Sequence, residues 1–256
     1  MKFAYRNQNN AIATAAYWRR PLAESECYQI VAQSDETAEV FIYDVIGWPF
    51  NDANEFIRAF SKITSREILV RINSPGGDVV DACAIYNAIR SHSSTITTRN
   101  ESLAASAASF ILTAGKKRQA YGNTLTMIHN PWMVVVGDPD NLRAAADVGD
   151  QVLTNIVDMY ADHTNIGKRD LRAMMKAETW MSAKEALANG FIDTIIHGES
   201  VKAQFDLSMF ANTPNDLWPN KNNGLTVRDA EKALRDEVEI ISAAQQTLSI
   251  VGGYCK

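Results

Sequence analysis

The chain has 256 residues, 46% of them hydrophobic, and a formal charge of −5 from 25 basic and 30 acidic side chains. That length suits one large core with at most a small appendage, and a mildly acidic balance without basic runs argues against nucleic acid as a partner. Cys27, Cys83 and Cys255 lie far apart without metal-ligand spacing, and neither a signal-peptide core nor a run of about 18 apolar residues occurs. A cytoplasmic protein with no metal, no cofactor and no membrane partner is expected.

Residues 1–36 lack periodicity and read as an N-terminal arm. Residues 40–47 are β-branched and aromatic and stop at Gly47 and Pro49, which predicts a buried strand. A helix then opens at Asp52 with Phe56, Ile57, Phe60 and Ile63 on its apolar side. Residues 68–72 form a second strand, running straight into Asn73-Ser74-Pro75-Gly76-Gly77-Asp78. A helix follows with Val79, Cys83, Tyr86 and Ile89 on one face.

A third strand at 95–98 leads into the small-residue block 102–115, whose helix Lys116, Lys117 and Arg118 are expected to close. Residues 125–131 read as a strand stopped by Pro131, and 133–136 as a further extended segment. From about 141 to 165 a long helix carries Leu142, Ala145, Val148, Val152, Ile156, Met159 and Tyr160 on one side, with Gly167 as its stop. A short helix at 168–175 precedes a capping box of Ser182 and Glu185, whose helix ends at Gly190; residues 191–196 form the last strand. This alternation predicts a layered α/β fold with parallel pairing. Residues 199–225 read as a linker and 226–256 as a C-terminal helical segment, amphipathic through Val227, Ala230, Leu234, Val238 and Ile241.

Within the small-residue block, Ser106 is flanked by Ala104, Ala105, Ala107 and Ala108, which would let a substrate backbone approach closely. A helix that begins at the serine leaves its first amide protons without intrahelical partners, free to face a developing negative charge. Tight helix packing explains the same alanines and is the plainer reading of the block taken alone.

Several separate motifs, in one order across roughly residues 39–197, resemble the ClpP family of serine peptidases within the ClpP/crotonase fold. They are Ile72-Asn73-Ser74-Pro75-Gly76-Gly77, Ala104-Ala105-Ser106, Phe110-Ile111-Leu112-Thr113-Ala114-Gly115, Met127-Ile128-His129-Asn130-Pro131, and Ser182-Ala183-Lys184-Glu185-Ala186 followed by Gly190-Phe191-Ile192-Asp193. The resemblance implies repeated ββα units over a peptidase domain at 37–198, with a helical extension mediating oligomer contacts. It is strongest to the ClpP-related head maturation (prohead) proteases of tailed phages and prophages. Ala107 stands where housekeeping enzymes carry Met, and Glu178 where they carry Asp.

The resemblance further implies that Ser106 attacks the scissile carbonyl, that His129 takes and returns its proton, and that Glu178 orients the imidazole. Asp170 and Asp193 are the alternative acids, and His92, His163 and His197 the other histidines. The backbone amides of Gly77 and Ala107 would hold the oxyanion, while Met133, Val134 and Val135 would pair with an extended peptide. The expected assembly is a homo-oligomeric ring, stacked or single, acting on scaffold or capsid proteins in the host cytoplasm or the phage prohead. The rival readings are a housekeeping-type proteolytic subunit fed by an ATP-driven unfoldase, a crotonase-type acyl-CoA enzyme, and an inactive assembly protein that only binds scaffold.

Overall fold

A computed structural model describes residues 29–32, 34–47, 52–133, 135, 137–197, 207 and 210–214. The chain forms two compact units, 1–206 and 207–256. In the second, the Thr213 hydroxyl donates to the carbonyls of Leu207 (3.0 Å) and Phe210 (3.2 Å). The predicted C-terminal helical segment lies outside the described residues.

Period-two burial builds the first unit's sheet. In β2 (Thr37–Tyr43) the residues Ala38, Val40 and Ile42 point inward, and in β3 (Glu67–Ser74) Ile68, Val70 and Ile72 do the same. Between them α1 (Ala53–Phe60) starts where the Asp52 carboxylate accepts from the amides of Asn54 and Glu55, and it buries Phe56 stacked on Phe60 at 5.1 Å. β1 (Gln29–Ala32) pairs antiparallel with β2, a strand within the stretch read as an arm. Four residues are too few for a period to show.

After the glycine turn, α2 (Val79–Ser91) buries Ala82, Ile85, Tyr86 and Ile89. The expected face is therefore turned slightly, with Val79 and Cys83 only partly covered. β4 (Thr95–Ala105) is far longer than the predicted 95–98 and takes in the first four residues of the small-residue block before α3 (Ala107–Thr113) begins. β5 (Lys117–Tyr121), β6 (Leu125–Ile128), α4 (Pro139–Ala161), α5 (Lys168–Lys176), β7 (Thr179–Ser182), α6 (Ala183–Ala188) and β8 (Thr194–Ile196) complete the order.

The main path of the sheet is β1-β2-β3-β4-β5-β8, parallel from β2 onward. β4 serves two ladders: Thr97–Asn100 pair with β5, whereas 103–105 pair with β6, and β6 in turn pairs antiparallel with β7. Where the strand changes partner its register against β3 jumps, from Ile72 opposite Asn100 to Ser74 opposite Ala104. Glu101 lies in that irregularity, fully buried. Arg71 satisfies it with two bonds, Nε at 2.8 Å and Nη2 at 3.0 Å, so the charge is held without an orphaned oxygen.

Three sequence expectations change. Lys116, Lys117 and Arg118 do not close α3, which ends at Thr113; Lys117 and Arg118 open β5 instead. Gly167 caps the N-terminus of α5, and α4 ends earlier, at Ala161. The apolar side of α4 is buried only in its last turns, at Ile156, Val157 and Tyr160, while Leu142 and Val148 are exposed. Among the described residues no helix is long and apolar enough to cross a membrane.

Candidate active site

Three adjacent strands bring Ser106, His129 and Glu178 to one end of the sheet. Ser106 follows the last residue of β4, His129 follows the last residue of β6, and Glu178 precedes the first residue of antiparallel β7. The rungs are consecutive: Ala105 lies opposite Met127, and Ile128 opposite Thr179. A slip of one residue in either ladder would reverse the faces and scatter the group.

The Ser106 Oγ and the His129 Nε2 are 2.8 Å apart, a hydrogen bond through which the hydroxyl proton can pass to the ring. Ser106 has φ 52° and ψ −126°, a conformation costly for any residue with a Cβ. Its amide donates to the Met127 carbonyl at 2.9 Å, which ties the strained turn to β6. Glu178 also has a positive φ, 51°, and its Oε1 accepts from the Trp180 indole Nε1 at 3.1 Å.

Burial pushes the His129 imidazole below its ordinary value near 6.5, and the Glu178 charge opposes that shift. A neutral ring is the form that accepts a proton. If His129 is the base, the acid limb of kcat/KM therefore lies below the usual imidazole range, and activity rises through it as pH increases. Glu178→Gln removes the opposing charge, so this limb should move to still lower pH while kcat falls; peptide hydrolysis measured from about pH 4 to 8 reads both effects.

The glycine turn closes over the same place. A Cβ on Gly76 would stand 2.6 Å from the Ser106 Cβ and 2.9 Å from the Ala107 nitrogen, so the turn lies directly against the serine. Gly77 forms a parallel bridge with Ile46: the Ile46 amide donates to the Gly76 carbonyl and the Asp78 amide donates to the Ile46 carbonyl, both at 2.8 Å. In that pattern the middle residue turns its own N–H away from its partner, leaving the Gly77 amide directed outward. Ala107 opens α3, and its amide is among the first four with no acceptor inside the helix.

The alternative acids are engaged elsewhere. Asp193 accepts from the Arg118 backbone amide at 2.8 Å and from its guanidinium, and Asp170 sits in the first turn of α5 bonded to Arg169. His163 meets the Tyr86 hydroxyl at 2.7 Å, and the His92 ring packs on Phe60. Met133 and Val135 are exposed and belong to no strand, Met133 reaching over Gly149 of α4; Val134 lies outside the described residues. Two neighbours of the site went unread in the sequence. Trp180 stood two residues from Glu178 without a motif of its own, and a buried Ser109–Tyr160 pair at 2.6 Å links positions 51 residues apart, which no local pattern announces.

A serine bonded to an imidazole beside a carboxylate, at the end of a mostly parallel sheet, defines a serine-type hydrolase. The sequence model of the Clp protease family matches residues 23–199. The chain belongs to that family and is a serine-type peptidase. Among its relatives are an ATP-dependent Clp protease proteolytic subunit 2 of Nocardia farcinica, 33% identical over 134 residues, which are 52% of this chain and 66% of that protein. An ATP-dependent Clp protease proteolytic subunit of Deinococcus radiodurans is 33% identical over 138 residues, 53% and 68% of the two chains, and one of Pleurastrum terricola is 32% identical over 133, 51% and 68%. The chain thus spans about two thirds of the length of the relatives it matches.

Proposed function

We propose that the protein is an endopeptidase in which Ser106 attacks, His129 shuttles the proton and Glu178 holds the imidazole, with the amides of Gly77 and Ala107 receiving the oxyanion. The observation that carries this reading is the 2.8 Å bond from a strained Ser106 to a partly desolvated His129. An extended peptide would lie along Met133, Val134 and Val135. A fluorophosphonate probe tests the mechanism: labelling at Ser106, lost in Ser106→Ala, supports it over a crotonase-type acyl-CoA enzyme or an inactive scaffold binder. A folded but unlabelled wild type overturns it.

For the biological setting, we infer a homo-oligomeric protease of the crotonase-like fold that processes scaffold or capsid proteins during phage head maturation. Ala107 and Glu178, at positions where the housekeeping pattern has Met and Asp, favour that reading, and residues 133–136 together with the long helix α4 would supply the oligomer contacts. The second reading, a proteolytic subunit served by an ATP-driven unfoldase, is favoured by the names of the relatives. Cleavage of a capsid scaffold without any ATPase supports the first; degradation of folded protein that requires one supports the second.

A further inference from the structure

The carbonyl of Ser106 is held as firmly as its hydroxyl. It accepts the Ser109 amide at 2.9 Å and the Ser109 hydroxyl at 2.6 Å. A serine hydroxyl has one proton, and a carbonyl can only accept. The Ser109 proton is therefore committed to Ser106, and the Tyr160 hydroxyl, 2.6 Å from the Ser109 Oγ, must be the donor in that contact. The order runs from Tyr160 on α4 to Ser109 on α3 to the backbone of the nucleophile. Ser109 is fully buried and Tyr160 nearly so, and burial holds the phenol protonated, as a donor must be.

The peptide unit between Ser106 and Ala107 is planar and trans, so its C=O and N–H point in opposite directions. Fixing the carbonyl towards Ser109 fixes the Ala107 N–H towards the other side, where the reading above places the oxyanion. Bonds to the carbonyl oxygen also polarise the unit and strengthen its N–H as a donor. We propose that Tyr160 and Ser109 are positioning residues that aim the Ala107 amide at the oxyanion through the Ser106–Ala107 peptide plane. The proposal rests on the peptidase reading and deepens it, because a backbone donor cannot itself be deleted by mutation.

The test compares wild type, Tyr160→Phe, Ser109→Ala, the double variant, and Tyr86→Phe, which removes the Tyr86–His163 bond and leaves the Tyr160–Ser109–Ser106 chain intact. Peptide hydrolysis and the rate of fluorophosphonate labelling are measured on each. Tyr160→Phe and Ser109→Ala should each lower kcat and labelling about tenfold, less than full loss of a donor, with KM unchanged. The double variant should be no worse than Ser109→Ala, since Tyr160 acts through Ser109, and Tyr86→Phe should match wild type. Tyr160→Phe is nearly isosteric, so it remains informative if Ser109→Ala packs poorly. A labelled wild type with unchanged kcat in Tyr160→Phe, a change confined to KM, or losses that add in the double variant overturn the proposal alone. An unlabelled wild type overturns the peptidase reading with it.

Discussion

Replacing Ser106 with alanine is expected to lower kcat on the order of 10⁵- to 10⁶-fold and to leave KM nearly unchanged. The hydroxyl bonds to His129, and without it the remaining donors can only bind the carbonyl and stabilise attack by water. Steady-state hydrolysis of a peptide, beside a circular-dichroism spectrum of the same sample, makes the measurement. A drop of less than about 100-fold in a folded variant would show that another group attacks.

Gly77→Ala should also damage activity, though less than loss of the serine, and it should cost stability as well. At φ 148° the added Cβ would stand 2.0 Å from the Ile46 carbonyl oxygen, with the Ile46 nitrogen and carbonyl carbon at 2.8 Å. These are backbone atoms of the bridge that orients the turn, so no side chain can swing aside. The turn must move, and with it the outward amide and Gly76, which lies against Ser106. An activity loss of about 100- to 1,000-fold is expected, the range for losing one oxyanion donor, with a lowered melting temperature. Gly167→Ala is the control, because nothing lies within 4 Å of its Cβ position and its φ is −68°.

The sequence reading recovered those parts of the fold whose signal is local. The Asp52 cap, the Ser182–Glu185 capping box and the apolar strands at the centre of the sheet each depend on neighbours within a few residues. The strands it passed over are short and polar or half-covered: β1 has four residues, β5 carries Lys117, Arg118 and Gln119, and β7 has four residues with one fully buried. Missing β7 hid the reason for the site's geometry, since Glu178 comes beside His129 through the antiparallel β6–β7 ladder. Ser106 and His129 were singled out because their motifs are compact. The Arg71–Glu101 pair and the Ser109–Tyr160 contact join residues 30 and 51 apart, where only folding brings partners together.

Among the described residues the non-glycine positions with positive φ are Asp44, Ser106 and Glu178, two of them in the site. Natural selection for thermal robustness alone would thus erode this protein's activity, because glycine relaxes the backbone at both positions and restores neither group. The two inactive replacements at 106 make the trade measurable, since both lack the hydroxyl and only one keeps a Cβ. Ser106→Gly should be more stable than Ser106→Ala by about 1 kcal/mol, the relief of the strained conformation less the added freedom of the unfolded chain. Equal melting temperatures would mean that the relief only balances the added freedom of the unfolded chain, and a less stable Ser106→Gly that the serine's conformation comes at no cost. A serine maintained there across generations would be the mark of a lineage in which the chemistry is still being used.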